Sequence, residues 1–172
     1  LQNLGFDVIL GNTNLKPGYP KETAYNAAIL KHRLLHKTSL TDPILLKYYQ
    51  NNTIFTKQGY SKCSLVFVTD SAVITADHDI AKRLRPLGFD VLLISPGHVR
   101  LDGYSYGFLG GCCGKLAPDQ LAFTGHLRYH PDEVIICDFL KKYGVSPIYL
   151  TNEPVYDIGS ILPIMKSSEK SH

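Results

Sequence analysis

Apolar positions along this chain follow two rhythms that alternate. Short runs of β-type residues give way to stretches with apolar side chains at helical spacing, and a glycine often closes the helical stretch. The clearest case begins with Leu65-Val66-Phe67-Val68, turns at Asp70-Ser71, and continues as Ala72-Val73-Ile74-Thr75. Ile80, Leu84 and Leu87 then fall at near-helical spacing, and Val91 starts another β-type run. A second case runs from Gly114-Lys115-Leu116 through Pro118-Asp119 to Leu121-Ala122-Phe123-Thr124. The repeated unit is strand, turn, strand, helix, strand. A two-strand turn joins antiparallel neighbours, whereas a helical crossover returns the chain to a parallel one.

The helix boundaries carry their own chemistry. Leu-Gly-Phe-Asp-Val occurs at Leu4 to Val8 and again at Leu87 to Val91, with a looser version at Tyr143-Gly144-Val145. Glycine just past a helix adopts the left-handed conformation that a Cβ would penalise. Asn52 is expected to do the same after the helix carrying Leu45, Leu46, Tyr48 and Tyr49. Asp42-Pro43 and His130-Pro131 place proline at an expected first helical position. Asp77 is the expected cap of the next helix. Asp132 and Glu133 begin the last helix and Lys141 and Lys142 end it, as the helix dipole favours.

Unequal spacing of these glycines argues for one supersecondary unit with variable loops. Repeated around an axis, ββαβ units make an α/β propeller with loops converging on a central channel. A single domain over 1–165 and a polar tail at 166–172 are expected. The chain opens on what reads as a helix end capped at Gly5, followed by a strand at Val8 to Leu10, and its single methionine is Met165. A closed five-unit ring would need residues before Leu1, so an N-terminally incomplete propeller is expected.

Composition narrows the function. In 172 residues, 18 Lys+Arg oppose 15 Asp+Glu, and no long basic run appears, so neither nucleic acid nor an acidic membrane is an expected partner. No apolar stretch approaches the roughly 18–20 residues that span a bilayer. Cys63, Cys112, Cys113 and Cys137 lack CxxC spacing and disulfide density, and there is no signal-peptide pattern, which together point to the cytoplasm. No second Cys/His cluster stands at zinc spacing, so no metal and no cofactor are expected. Cys137, inside Val134-Ile135-Ile136-Cys137, reads as a buried thiol.

The stretch Ile94-Ser95-Pro96-Gly97-His98-Val99-Arg100-Leu101, running into Phe108 to Lys115, resembles the histidine-bearing strand of the pentein superfamily. That superfamily comprises arginine and agmatine deiminases, amidinotransferases and dimethylarginine dimethylaminohydrolases. More closely, the chain resembles an uncharacterised bacterial family of the same fold. The segments that carry this match are Ala24-Tyr25-Asn26, Gln58 to Ser64, Gly107 to Gly111, Gly125-His126-Leu127 and Tyr156 to Pro163.

The resemblance implies a pentein-like α/β propeller binding a small polar molecule in a channel. It places His98 where those enzymes keep an acid/base histidine, a group suited to taking and returning a proton near neutrality. Two departures qualify it. Where the enzymes grip a guanidinium with a carboxylate, this chain reads Tyr60-Ser61-Lys62-Cys63, and a cation there favours an anionic group. Where they carry a C-terminal nucleophilic cysteine, it reads Asp157-Ile158-Gly159-Ser160-Ile161.

Cys63 is therefore the candidate nucleophile beside His98, although strand alternation is expected to send Lys62 and Cys63 to opposite faces. Asn26, as a strand edge, joins Tyr60, Lys62, Arg100, Cys112, Asp157 and Ser160 as candidate ligand-binding residues. Gly110-Gly111-Cys112-Cys113-Gly114 reads either as an anion cradle or as a close backbone approach, with one of the two cysteines facing the channel. His126 and His130 read as capping or surface residues. The two functions left open are a divergent hydrolase or transferase on a guanidino or amidino substrate, and a non-catalytic propeller binding a ligand or macromolecule.

Overall fold

The computed structural model describes residues 1–164, and the ββαβ unit recurs in it three times. Strands β1 (Ala28–Leu30) and β2 (Arg33–His36) pair antiparallel; after helix α1 (Pro43–Tyr48), β3 (Thr53–Phe55) returns parallel to β2. The second repeat pairs β4 (Val66–Phe67) with β5 (Ala72–Thr75), crosses over through α2 (His78–Leu84) and adds β6 (Asp90–Leu93). The third consists of β7 (Cys113–Ala117), β8 (Gln120–Phe123), α3 (Glu133–Lys142) and β9 (Ser146–Tyr149). In each three-stranded sheet the second strand of the hairpin is central. The result is a mixed α/β architecture of small, equivalent sheets.

Local chemistry explains the repeats. Asp42 accepts from the Ile44 N–H at 2.8 Å, and Asp77 from Asp79 and Ile80 at 2.8 and 3.0 Å, caps worth about 1 kcal/mol each. Gly5, Gly88 and Gly144 hold the left-handed cap with φ of 80, 82 and 66°. In the α1 repeat the left-handed residue is Asn51, with φ 69°, and not Asn52. Asn52 instead bonds both ways, donating to Tyr49 O and accepting from Leu34 N, which already commits it to the β2–β3 edge.

The chain divides into two compact units, Leu1–Ser61 and a second from Lys62 onward. In the second, the faces of β4–β6 and β7–β9 share one core. Ile74, Leu121, Phe123, Leu127, Ile136 and Leu140 are fully buried there. Burying each side chain contributes about 1.5–3 kcal/mol against leaving it exposed.

Three local expectations are corrected. No strand forms at Val8 to Leu10, whose side chains are 42, 64 and 84% exposed. In the other repeats this position pairs parallel to the preceding hairpin, and a strand without a partner leaves its backbone unpaired. Pro131 does not start α3, which begins at Glu133. The Leu127–Tyr129 3-10 turn and a bond from Asp132 N–H to His130 Nδ1 (3.1 Å) make His130 to Asp132 a separate turn. Cys137 is only half-buried, because α3 turns Val134 and Ile135 to solvent. The polar tail expected at 166–172 lies outside the described residues.

Candidate functional site

One extended segment of the second unit, Glu153 to Ile161, ties the candidate residues together. It belongs to no sheet, so its backbone groups find partners on several elements in turn. Glu153 O accepts from His126 N–H at 2.7 Å, and the Thr124 hydroxyl donates to Tyr156 O at 2.7 Å. Arg100 N–H donates to Val155 O (3.1 Å) while Asp157 N–H donates to Arg100 O (2.9 Å), forming a short parallel bridge. Further on, Ile158 and Ile161 donate to Gly111 O and Cys113 O at 3.2 and 3.3 Å.

Asp157 anchors this strap. Its carboxylate is 6% exposed and accepts N–H bonds from Phe108 at 2.8 Å and Gly159 at 2.9 Å. A Cβ on Gly111 would fall on that carboxylate, and one on Gly110 would fall on the carbonyls of Leu65 and Cys63. Glycine at these two positions therefore serves close backbone approach, the second of the two readings of this run. The N–H groups of Gly111 and Cys112 are already committed to Phe108 O and Leu109 O, each at 3.0 Å, which takes them out of an anion cradle.

Lys62 and Cys63 converge on the strap. Residues 61–64 form a turn and not a strand, so the expected opposition of adjacent side chains does not apply. Lys62 Nζ donates to Ser160 Oγ at 2.8 Å and to Gly110 O at 3.3 Å, with the Phe67 ring 5.6 Å away. Cys63 Sγ donates to Gly159 O at 3.2 Å and is 4% exposed. Lys62 and Ser160 line a cleft of about 210 Å³, together with Phe67, Lys115, Leu121 and Leu162. Burial lowers the Lys115 pKa, partly offset by Asp70 and Asp119, and its ammonium donates to Val68 O.

The paired cysteines face inward. Cys112 and Cys113 are both buried in the core, and of the two it is Cys113 that borders the cleft beside Lys62. Burial drives both thiol pKa values up, that of Cys113 to about 12 even with Lys62 opposing the rise. Cys112 Sγ donates to Phe108 O at 3.3 Å.

His98 is exposed, after Gly97 with φ 96°, and its ring lies edge-on to His130 with centroids 5.4 Å apart. Arg100 is exposed, paired with Asp102 at 3.3 Å and 5.5 Å from the Tyr156 ring centre. The bridge that joins Arg100 to the strap therefore connects the His98 loop to Asp157 through backbone. Asn26 and Tyr60 belong to the first unit. Asn26 donates its N–H to Thr23 O at 2.9 Å in a turn before β1, so it is not a strand edge. Tyr60 donates its hydroxyl to Glu22, and its ring sits 5.8 Å from Tyr19.

Two residues were missed as site elements. His130 is buried, and Lys115 lines the cleft. A basic residue at the inward register of β7 could have flagged Lys115. No group of three potential metal ligands occurs among the described residues, and none of their helices is long and apolar enough to cross a membrane.

Residues 1–162 match the model of DUF6873, a family of unknown function, and the chain belongs to that family. No curated protein matches it. Among solved structures it is similar to SxtG, an amidinotransferase from Microseira wollei in the saxitoxin biosynthetic pathway. The similarity has a TM-score of 0.48 and 12% identity over 76% of this chain and 41% of that one. The chain thus spans about two fifths of that amidinotransferase's length.

Proposed function

We propose that this chain is a pentein-like propeller module that binds a small guanidino or amidino compound carrying a carboxylate. The cleft at Lys62 and Ser160 is the proposed site. The observation that carries the reading is the Lys62 ammonium, held by Ser160 Oγ at 2.8 Å on the wall of the cleft. It donates there to Ser160 Oγ and to Gly110 O, both neutral oxygens. An ammonium at this position repels a guanidinium and attracts a carboxylate. The repeated ββαβ unit and the resemblance of the His98 segment support the guanidino class.

Chemistry on such a ligand would be hydrolysis or group transfer at the guanidinium carbon. His98 is the candidate acid/base group and Cys63 the candidate nucleophile. Binding without chemistry is a second reading, favoured by one observation: the Cys63 thiol is buried and engaged with Gly159 O. A thermal-shift panel of 4-guanidinobutyrate, agmatine and butyrate, with ammonia and amidino-transfer assays alongside, tests both. The reading expects a saturable shift with 4-guanidinobutyrate and none with agmatine. Turnover lost in His98→Ala would select the enzyme over the binding module.

A further inference from the structure

His98 sits on a loop, Ser95 to His98, that no regular element holds. Two residues ahead of α3 meet that loop. Asp132 accepts from the Ser95 N–H at 2.5 Å, and the His130 ring stands edge-on to His98 at 5.4 Å. Asp132 occupies the N-cap position of α3, where a carboxylate ordinarily accepts from the first helical N–H groups. Here it makes no such side-chain bond and serves the loop instead.

His130 is itself fixed in place. It is 4% exposed, donates its backbone N–H to Leu127 O at 2.7 Å and accepts at Nδ1 from Asp132 N–H. A ring that accepts at Nδ1 carries the proton of its neutral form on Nε2. Burial lowers the His130 pKa; Asp132 opposes this and His98 adds to it. The Ser95 bond is the main cause that holds the Asp132 carboxyl low. The titratable groups facing His98 at neutral pH are thus an uncharged imidazole and a carboxylate.

We infer that His130 and Asp132 are positioning residues that hold the Ser95 to His98 loop and fix the orientation of the His98 imidazole. The inference rests on the reading of His98 as the acid/base group. A plain helix cap would explain neither the carboxylate turned away from α3 nor a buried imidazole set against an exposed one.

The test is the NMR spectrum of the Ser95 to His98 loop and the His98 imidazole in the full chain, comparing wild type with Asp132→Asn, His130→Phe and His130→Ala. Asp132→Asn is expected to displace the amide resonances of Ser95 to His98, because the carboxylate that accepts from the Ser95 N–H is lost. His130→Ala is expected to abolish the ring-current displacement of the His98 resonances, and His130→Phe to retain one. Backbone spectra identify any variant that fails to fold, and His130→Phe keeps the buried volume filled. Unchanged resonances of the Ser95 to His98 loop and of the His98 ring in the folded variants would overturn the inference. Turnover plays no part in this readout, so loss of the acid/base reading would appear separately, as full activity in His98→Ala.

Discussion

Lys62 and Ser160 lie 98 positions apart in the chain and meet through an Nζ–Oγ bond of 2.8 Å. The bond fastens the turn before β4 to the strap of residues 153–161, and it does so on the wall of the proposed cleft. Ser160→Ala removes this bond together with a longer one, 3.4 Å, from Ser160 Oγ to Cys113 O, and is expected to cost about 2 kcal/mol. Urea unfolding checks this, and an unchanged midpoint would show that the pair contributes nothing to the fold.

The turn at residues 109–111 packs against residues 63–65 by close approach at a glycine. In Gly110→Ala the new methyl would fall on the backbone carbonyls of Leu65 and Cys63, which cannot swing aside as a flexible side chain would. The expected loss exceeds about 3 kcal/mol, beyond the usual cost of overpacking. Circular dichroism melts would show it, and near-wild-type stability would contradict this close approach.

The first unit should carry a distinct acid response. Burial works against the Asp42 charge, but bonds from Thr13, the Ile44 N–H and Tyr25 outweigh it and hold the carboxyl down to about 2. Because the folded pKa lies below the unfolded one, this contribution is complete above about pH 4. It is lost as the pH falls from there through 2. Asp42→Asn is expected to flatten the acid limb of stability below pH 4. An acid limb identical to wild type would assign the effect elsewhere.

Thiol reactivity separates chemistry from binding. Cys112 and Cys113 are buried with raised pKa values, Cys63 is buried against Gly159 O, and burial also raises the half-buried Cys137. Iodoacetamide at neutral pH is expected to modify the folded chain slowly at all four, and denaturant to release them together. Fast, stoichiometric labelling of Cys63 would reverse this and favour a nucleophile.

Much of the fold was readable because each repeat pairs an apolar rhythm with its own boundary residue: Asp42 and Asp77 at helix starts, Gly88 and Gly144 at helix ends. The β1–β2 hairpin was not readable. Its turn is Lys31-His32, with φ of 45 and 68°, where such turns ordinarily carry Asn or Gly. For the site, Lys62, Cys63 and Ser160 were identified as candidates, but their meeting was not. It depends on a turn at residues 61–64 in place of a strand, and on a strap whose partners are backbone carbonyls. His130 was read as a capping or surface residue, and its ring contact with His98, between residues far apart in sequence, was not legible.

The Lys62 cleft carries the proposed function. Calorimetric titration of 4-guanidinobutyrate into the wild-type chain and into Lys62→Met tests it most directly, since methionine keeps the stem and removes the charge. Saturable binding to wild type, weakened at least tenfold in Lys62→Met and absent for agmatine, is the expected result. Equal binding by both chains, or agmatine bound as tightly as 4-guanidinobutyrate, would contradict it.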